Sequence, residues 1–383
     1  MAMNDRPLRI VYCTPALYMT GGVERVLTLK ANYFAEHFGY DITIILTEGK
    51  GKPFAYLLSD KIKVVNLDIN FEELWGCSFL KKIVLYLKKQ RIYKRKLTAE
   101  LMRIRPDITD SLLRREINFI TKIKDGSRKI GELHVNRANY RNFEGKDANW
   151  IKNLFAKFWM HSLLGHLRKL DKFVVLTEED KQSWSELSNV IAIPNPVSFD
   201  VKDVSQLKCP RVIAVGRYAY QKGFDLLLKA WAIVEQQCSE WELCIFGDGD
   251  RGQYLQLMLE LGIDGSRCHL NGSTSSIQEE YLKSSIFVVS SRFEGLSMAM
   301  LEAISFGLPL VAFACPCGPR DVVQDGVNGY LVENGNVGQL AERLIALIEH
   351  VDDRKRMGKQ ARLRSEHYRI DYLAHEWKIL FES

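Results

Sequence analysis

The sequence predicts an α/β protein with two Rossmann-like domains that face a central cleft. Short apolar runs alternate with segments of helical period in both halves, which is the pattern of parallel sheets covered by helices. Glycine-containing turns follow several of these runs. The length of 383 residues, with 46% hydrophobic and 26% charged residues, fits two globular domains. We place the domain boundary so that the first domain covers 1–197 and the second covers 198–363.

The first half opens with a strand, a helix and a second strand. Apolar positions at helical spacing predict a helix over 23–37, and Gly39 follows where a helix commonly ends. Strand, helix and strand at this spacing predict a parallel sheet with right-handed crossovers. The other elements predicted here are strands at 8–13, 41–47, 62–67, 106–110, 129–134, 172–177 and 190–193, and helices at 79–105, between 110 and 129, and at 150–169.

The second half repeats this order of elements. Ligands of such sheets bind at the carboxyl ends of the strands, so we expect the binding cleft to face those ends. The predicted strands are 211–216, 242–246, 267–271, 286–290 and 308–313, and the predicted helices are 223–237, 250–261, 297–306 and 338–350.

Charge is distributed unevenly along the chain. The first 200 residues carry a net charge of +10 and the remaining residues a net charge of −4. A basic half suits an anionic partner. No apolar run reaches about 18 residues, and Ile10–Cys13 is too short for the core of a signal peptide. These features predict a protein that stays in the cytoplasm.

Four turns carry residues suited to an anion, since each follows a predicted strand and precedes a helix. Backbone N–H groups and the helix dipole attract negative charge at such places. Arg217 and Lys222 add two positive charges, which a departing diphosphate needs for charge compensation. The four turns are Gly216–Arg217, Gln221–Gly223, Gly247–Gly249 and Glu294–Gly295.

The sequence offers no convincing metal site. The eight cysteines are scattered and several lie in apolar runs, which is typical of reduced, buried thiols. Cys315 and Cys317 are separated by one residue and lack the spacing of zinc ligands. Asp248 and Asp250 resemble a metal-binding Asp-x-Asp pair, but basic side chains nearby already supply positive charge. We therefore expect neither a metal nor a cofactor.

These motifs resemble those of the retaining GT-B glycosyltransferases, a large nucleotide-sugar-dependent family that builds bacterial polysaccharides. The similarity is strong over about 205–350 and weaker in the first half, where Gly21–Arg25 and Glu132–His134 fit. It implies that a C-terminal helix within 364–383 crosses back to the first domain. The motifs that carry it are Val215–Arg217, Gln221–Gly223, Phe246–Gly249, Phe293–Ser297, Leu301–Ala303, Gly307–Val311 and Asp325–Val332.

The resemblance implies roles in donor binding for two glutamates separated by seven residues. Glu302 would bind the ribose hydroxyls of the nucleotide, and Glu294 would contact the donor sugar. A rise of 1.5 Å per residue puts them about 12 Å apart along the chain, too far to share one glycosidic bond. The other expected donor contacts are Arg217, Lys222, the glycines Gly21, Gly22, Gly216, Gly247, Gly249 and Gly295, and the backbone N–H groups of Leu296 and Ser297.

His134 ends a predicted strand, where the family commonly has a histidine that faces the sugar and the acceptor. We expect it to position hydroxyls rather than to act as a general base, because in this family the leaving phosphate takes the acceptor proton. A histidine that is only hydrogen-bonded within the fold is the alternative. Asn136 and Arg137 are candidates for acceptor binding through their proximity in sequence. The residues predicted to act in catalysis are His134, Arg217, Lys222 and Glu294.

Residues 81–96 form a basic segment that contains no acidic residue. Its apolar residues, among them Val84 and Leu87, interleave with the basic ones. Such a helix suits an anionic membrane surface, where each charge contributes about 1 kcal/mol near the headgroups. A basic face that is merely solvated is the alternative. The basic residues are Lys81, Lys82, Lys88, Lys89, Arg91, Lys94, Arg95 and Lys96.

The function predicted from these features is that of a retaining, metal-independent hexosyltransferase. It would move a hexose or N-acetylhexosamine from a nucleotide-diphosphate sugar, with UDP favoured, to a sugar or lipid-linked glycan of capsule, O-antigen or another cell-surface polysaccharide. A phosphorylase-like or nucleotide-sugar-binding protein of the same fold is the alternative. Nucleic-acid binding by the basic half is disfavoured, because no RNA- or DNA-reading motif is present and the pI is 8.7. The predicted location is the cytoplasm, with peripheral attachment to the inner face of the cell membrane.

Overall fold

The computed structural model describes residues 6–140 and 150–383, and it contains two units that each have one parallel sheet. The first unit comprises the described residues within Met1–Leu176, Lys181–Ile193 and Ala374–Ser383. The second comprises Thr177–Asp180 and Pro194–Leu373. The main crossing into the second unit is therefore at Pro194, and the chain returns to the first unit at Ala374.

Seven strands form the first sheet: β1 (Arg9–Thr14), β2 (Asp41–Leu46), β3 (Lys63–Asn66), β4 (Ile108–Ser111), β5 (Arg128–Glu132), β6 (Lys172–Val175) and β7 (Val190–Ala192). Neighbouring strands are parallel, and their order is β3-β2-β1-β4-β5-β6-β7. The chain winds outward in opposite directions from β1 and β4, so the topological switch point of this sheet lies between them. Most residues of β1, β2, β4, β5 and β6 are buried, because parallel sheets are covered on both faces.

The described residues before the second sheet include the helices α1 (Gly22–His37), α2 (Phe79–Ile104), α3 (Trp150–Leu167) and α4 (Glu178–Ser183). The helix predicted between β4 and β5 is wrong. Two short 3₁₀ turns, Glu116–Asn118 and Ile120–Lys122, occupy that segment. The reason is local, because the Glu116 carboxylate accepts hydrogen bonds from Ser111 Oγ and from the backbone N–H of Arg114 and so holds a turn in place of a helix.

Six strands form the second sheet: β8 (Arg211–Val215), β9 (Glu242–Phe246), β10 (Cys268–Asn271), β11 (Ile286–Val289), β12 (Leu310–Phe313) and β13 (Gly329–Val332). They are parallel in the order β10-β9-β8-β11-β12-β13, which places the switch point between β8 and β11. The helices of this unit are α5 (Phe224–Gln237), α6 (Gly252–Leu261), α7 (Ile277–Leu282), α8 (Met298–Ser305), α9 (Pro319–Val322), α10 (Val337–Glu349) and α11 (Val351–Ser365).

Four of these elements, α7, α9, α11 and β13, were not predicted from the pattern. The first two and β13 have six residues or fewer, too few for a periodic signal. Helix α11 is long but strongly polar, and its buried side includes Gly358 and Ala361. A Cβ on Gly358 would lie 2.5 Å from the carbonyl oxygen of Gly307, so α11 packs by close backbone approach that large apolar residues would prevent.

The last helix, α12 (Ile370–Glu382), ends in the first unit. Its residues Trp377 and Phe381 are buried in the apolar core that includes Phe34 of α1. Tyr40 Oη donates to Glu382 Oε1 over 2.9 Å, which ties the end of the chain to the segment before β2. No helix among the described residues has the length and apolarity needed to cross a membrane.

Candidate functional site

The second sheet brings two polar turns together at its switch point. Strands β8 and β11 are neighbours, so the turns that follow them, residues 216–223 and 290–297, lie side by side at the carboxyl edge. This is the place where open α/β sheets bind ligands. Three of the four turns singled out in the sequence belong to these two segments.

Lys222 and Glu294 form an ion pair that joins the two turns. Lys222 Nζ lies 2.6 Å from Glu294 Oε1, and the Glu294 side chain is almost completely buried. Gln221 Nε2 contacts Glu294 Oε2 over 3.4 Å, and Ser291 Oγ donates to Glu294 Oε1 over 2.5 Å. The carboxylate is therefore fixed by three side chains and is well suited to accept hydroxyl hydrogen bonds from a ligand.

Glycines allow these turns to approach each other. Gly223 has a φ of +62°, and a Cβ at this position would lie 2.1 Å from the carbonyl oxygen of Ser290. A Cβ on Gly247, in the turn after β9, would lie 1.8 Å from the carbonyl oxygen of Gly216. The turns after β8 and β9 are therefore in backbone contact, and a side chain at Gly247 would separate them. Tyr218 N donates to the carbonyl oxygen of Asp248 over 2.7 Å and closes the same contact.

Arg217 follows Gly216 and is exposed. Within the described part of the chain its guanidinium has no ion pair or hydrogen bond. Lys222 is neutralised by Glu294, whereas Arg217 adds an uncompensated positive charge to the same turn. The pair of cations expected from the sequence is thus present, but only one of them is free of a carboxylate.

Glu302 lies inside α8, on the chain segment after the second turn. It is buried, and Tyr281 Oη donates to its Oε2 over 3.0 Å. Ser297 precedes the first residue of α8, and Leu296 is buried beside it. Gly295 is in tight contact with Gly318, where a Cβ would lie 2.4 Å from the Gly295 carbonyl oxygen.

The acidic pair after β9 lies at the surface of the second unit. Asp248 and Asp250 are exposed, and Asp250 Oδ1 accepts from the backbone N–H of Gly252 over 2.9 Å. Among the described residues no group of three or more His, Cys, Asp or Glu side chains is arranged to hold a metal ion.

The predicted residues of the first half lie at the carboxyl edge of the first sheet. Gly21 and Gly22 stand at the start of α1, and His134 follows β5. His134 Nε2 lies 3.3 Å from Glu132 Oε2, which in turn is held by Lys30 Nζ at 2.6 Å from both carboxylate oxygens. The histidine is thus oriented by a buried ion pair. These residues belong to a different unit from Arg217, Lys222, Glu294 and Glu302.

Lys30 and Glu132 belong to a buried polar cluster, which also contains Asp110 and the ring of Trp377. Lys30 Nζ lies 3.7 Å from the centre of the Trp377 ring on α12, a close cation–π contact. Burial, and then the neighbouring Glu132, raise the pKa of Asp110 well above its usual range. Burial also tends to raise the pKa of Glu132. The charge of Lys30 and the contact with His134 outweigh this effect, so the pKa of Glu132 lies below its usual range. The pKa values of these two neighbouring carboxyl groups are therefore shifted in opposite directions.

The two candidates for acceptor binding differ in their surroundings. Asn136 is buried, whereas the Arg137 guanidinium makes a bidentate ion pair with Glu186 at 2.7 and 2.8 Å. Arg137 also lies over the Trp184 ring, 4.8 Å from its centre. The charge of Arg137 is therefore engaged within the fold.

Sequence reasoning missed several residues that support these sites. Ser291, Tyr281, Lys30 and Trp377 each contact a predicted residue or its partner, and nothing in the local sequence marks Ser291, Tyr281 or Trp377 for that contact. Lys30 alone left a signal, because a lysine on the apolar side of α1 is buried at a cost unless it is paired.

Comparison with known proteins gives three findings about sequence. Residues 199–364 match the family described as Glycosyl transferases group 1. An uncharacterized glycosyltransferase of Haemophilus influenzae is 30% identical over 367 residues, which cover 94% of this chain and 95% of that protein. The amylovoran biosynthesis glycosyltransferase AmsD of Erwinia amylovora is 33% identical over 218 residues, which cover 54% of this chain and 61% of AmsD.

Solved structures show the same architecture over the whole chain. TarM of S. aureus, crystallised as a mutant with fondaparinux, α-GlcNAc-glycerol and UDP, has a TM-score of 0.74 and 17% identity, covering 98% of this chain and 100% of that one. The lipopolysaccharide outer core galactosyltransferase WaaB in its apo form has a TM-score of 0.74 and 20% identity, covering 97% of this chain and 98% of that one.

The two parallel-sheet units and these structural neighbours define a glycosyltransferase fold of the GT-B class. The chain belongs to the glycosyl transferases group 1 family, and it is accordingly a transferase enzyme. The fold and the family expected from the sequence are both confirmed.

Proposed function

We propose that the protein is a retaining glycosyltransferase that moves a hexose or N-acetylhexosamine from a UDP-sugar to a glycan acceptor. The observation that carries this proposal is the Lys222–Glu294 ion pair, fixed at the switch point of the second sheet with Arg217 on the same turn. Departure of a nucleoside diphosphate requires groups of this kind. One carboxylate accepts hydrogen bonds from sugar hydroxyls, and two cations face the diphosphate. The UDP present in the TarM crystals supports uridine as the base.

Each residue of the second unit has a distinct part in this proposal. Arg217 and Lys222 bind the diphosphate and stabilise the negative charge that grows on it as the sugar departs. Glu294 accepts hydrogen bonds from hydroxyls of the donor sugar. Glu302, held by Tyr281, accepts from the ribose hydroxyls. The two basic side chains compensate the diphosphate charge, so the proposed reaction uses no metal ion.

The first unit is the proposed acceptor-binding unit. Its sheet presents Gly21, Gly22 and His134 at the carboxyl edge, and Glu132 orients the histidine. We assign His134 to the positioning of hydroxyls. The leaving phosphate removes the acceptor proton on the same face of the sugar from which the phosphate departs. Retention of configuration follows from that same-face attack. Asn136 remains a proposed acceptor contact, while the ion pair of Arg137 with Glu186 favours a structural part for Arg137.

The acceptor we propose is a growing cell-surface glycan, free or lipid-linked. AmsD acts in amylovoran biosynthesis and WaaB in the lipopolysaccharide outer core, and both are similar to this chain. Capsule, O-antigen and related polysaccharides are accordingly the pathways in which we place the enzyme, on the cytoplasmic side of the cell membrane.

Helix α2 is the proposed contact with an anionic membrane surface. Lys81, Lys88, Arg91 and Arg95 are exposed at spacings that put them on one side of the helix, together with Val84, which is 67% exposed. Two other basic residues of this segment do not belong to that face. Lys89 Nζ and Lys96 Nζ each lie 2.5 Å from a backbone carbonyl oxygen, of Ile69 and Leu67 respectively, and are engaged in the fold.

A panel of UDP- and GDP-sugars tests the proposal. We expect thermal stabilisation by UDP and by one class of UDP-sugar, and transfer of that sugar with retained anomeric configuration as seen by proton NMR. Activity should persist in excess EDTA. Cleavage that depends on phosphate or arsenate would instead identify a phosphorylase, and stabilisation by GDP-sugars alone would exclude UDP as the donor nucleotide.

A further inference from the structure

The turn after β4 occupies the switch point of the first sheet. Strand β4 lies between β1 and β5, so the turn Leu112–Glu116 emerges between the segment that leads to Gly21–Gly22 and the segment that carries His134. Ligands of doubly wound sheets bind at this position. The turn contains two consecutive arginines, Arg114 and Arg115, to which no part has been assigned above.

The turn is held rigidly in a conformation that costs free energy. Leu113 has a φ of +48°, which is unfavourable for a residue with a branched side chain. Its N–H donates to Ser111 Oγ over 3.1 Å, and its carbonyl accepts from Tyr140 Oη over 2.6 Å. Gly131 on the neighbouring strand makes room for it, since a Cβ there would lie 2.7 Å from Leu113 Cδ2. Such strain persists where the surrounding structure fixes it, and it concentrates at ligand sites.

Arg115 presents an unused guanidinium at this edge. It lies over the Phe71 ring, 4.3 Å from its centre, which fixes the plane of the group. The carboxylate beside it, Glu48, is 4.0 Å away and already accepts from the backbone N–H groups of Phe71 and Glu72. Among the described residues no acceptor lies within hydrogen-bond distance of the Arg115 guanidinium, whose side chain is 31% exposed.

Glu116, the carboxylate of the turn itself, is engaged with other donors and makes no hydrogen bond to the Arg115 guanidinium. Glu116 Oε1 accepts from Ser111 Oγ and from the backbone N–H of Arg114, and Glu116 Oε2 accepts from Tyr93 Oη. Arg137 at the same edge of the sheet, by contrast, has its guanidinium satisfied by Glu186. Among the described residues at this edge, the Arg115 guanidinium therefore keeps N–H donors that have no hydrogen-bond acceptor.

We propose that the turn Leu112–Glu116 recognises a phosphate group of the acceptor, with Arg115 as its main ligand and Arg114 beside it. A planar guanidinium with free N–H groups, fixed against an aromatic ring, matches the bidentate geometry of a phosphate. This inference rests on the proposed function, because it specifies the acceptor of the same reaction. A sugar phosphate or a phosphodiester-linked glycan is the class of acceptor that fits.

Binding of glucose 1-phosphate to the full chain, measured by calorimetry with UDP at saturation, tests the inference. UDP fills the donor site, so the sugar phosphate reports on the second phosphate site. We expect Arg115→Gln to weaken this binding by about 10- to 100-fold, as for loss of a charged hydrogen bond. Arg115→Lys should retain part of it, and Arg103→Gln, a matched change at an exposed arginine of α2, should leave it unchanged.

The outcomes separate the inference from the proposed function. Equal binding of glucose 1-phosphate by the wild type and Arg115→Gln would overturn the inference, as would equal binding of methyl glucoside or glucuronate by the wild type. Failure of glucose 1-phosphate to bind the wild type at all would also overturn it. UDP binding and sugar transfer to a neutral acceptor that survive in Arg115→Gln would leave the proposed function intact. Failure of UDP itself to bind would remove the proposed function instead.

Discussion

Lys222 Nζ lies 2.6 Å from Glu294 Oε1, and this ion pair joins the turns that follow β8 and β11. The two residues are 72 positions apart in sequence, and each comes from a turn that glycines or serines hold in place. Because the carboxylate is nearly buried, the pair is already formed before a ligand arrives. A diphosphate that binds here must share Lys222 with Glu294.

Replacement of Lys222 by alanine is expected to reduce kcat/KM for sugar transfer by about 10²- to 10³-fold, since one cation that stabilises the departing diphosphate is lost. Arg217→Ala should have an effect of similar size. Lys229→Ala, a matched change at an exposed position of α5, is the control. Folded Lys222→Ala protein that transfers sugar at the wild-type rate would contradict the proposed site.

Removal of the Glu302 carboxylate is expected to separate nucleoside binding from diphosphate binding. Glu302→Gln should weaken the binding of UDP by about 10-fold, because charged hydrogen bonds to the ribose are lost, while the affinity for inorganic pyrophosphate stays unchanged. Tyr281→Phe should have a smaller effect, because it removes only the bond that orients the carboxylate. Calorimetric titration with both ligands measures this difference. If Glu302→Gln weakens the binding of pyrophosphate as much as the binding of UDP, Glu302 contacts the diphosphate rather than the ribose.

The turns of the second unit were predictable because their chemistry is local. Gly216 and Gly247 each follow an apolar strand and Gly223 precedes α5, and the backbone contacts at Gly223 and Gly247 admit no side chain. A short motif is therefore enough to place the turn, the nearby cation and the start of the next helix. The same local logic singled out Glu294, whereas Glu302 was proposed through the family resemblance.

The polar cluster of the first unit was not predictable because its members are far apart in sequence. Lys30 and Glu132 are separated by 102 positions, and Trp377 comes from the last helix. The sequence around Lys30 does not indicate which carboxylate will form an ion pair with it. The turn after β4 was predicted as a helix for a different reason, because the pattern does not show that the Glu116 carboxylate will accept from Ser111 Oγ and Arg114 N.

Asp110 is expected to make the first unit less stable as the pH rises. Its pKa is raised in the folded protein, mainly by burial, whereas an aspartate in the unfolded chain titrates near about 3.9. Folding therefore takes up a proton, and the free energy of unfolding falls as the pH increases from about 4 toward the folded pKa. Glu132 contributes in the opposite sense, because its pKa is lowered and its stabilisation is lost as the pH falls.

Asp110→Asn tests this linkage, because asparagine keeps a neutral donor beside Glu132. The variant should gain stability relative to the wild type between pH 5 and pH 8, at no more than about 1.4 kcal/mol per pH unit. Melting temperatures from calorimetry at both pH values give the comparison, with Asp60→Asn as the exposed control. A difference between Asp110→Asn and the wild type that does not grow with pH would mean that Asp110 is ionised in the fold.

Charge reversal on one side of α2 is expected to abolish membrane binding without unfolding the protein. Glutamate at positions 81, 88, 91 and 95 removes four exposed cations and adds four anions, and each cation near the headgroups contributes about 1 kcal/mol. Partition onto vesicles with phosphatidylglycerol should fall by at least about 100-fold, as measured by co-sedimentation. Glutamate at Lys202, Lys208, Lys355 and Lys359, exposed in the second unit, makes the same change in net charge and should leave binding intact. An equal loss in both variants would point to total charge rather than α2.

Changes at Lys89 and Lys96 should instead lower the melting temperature, because these side chains hold backbone carbonyls of the first unit.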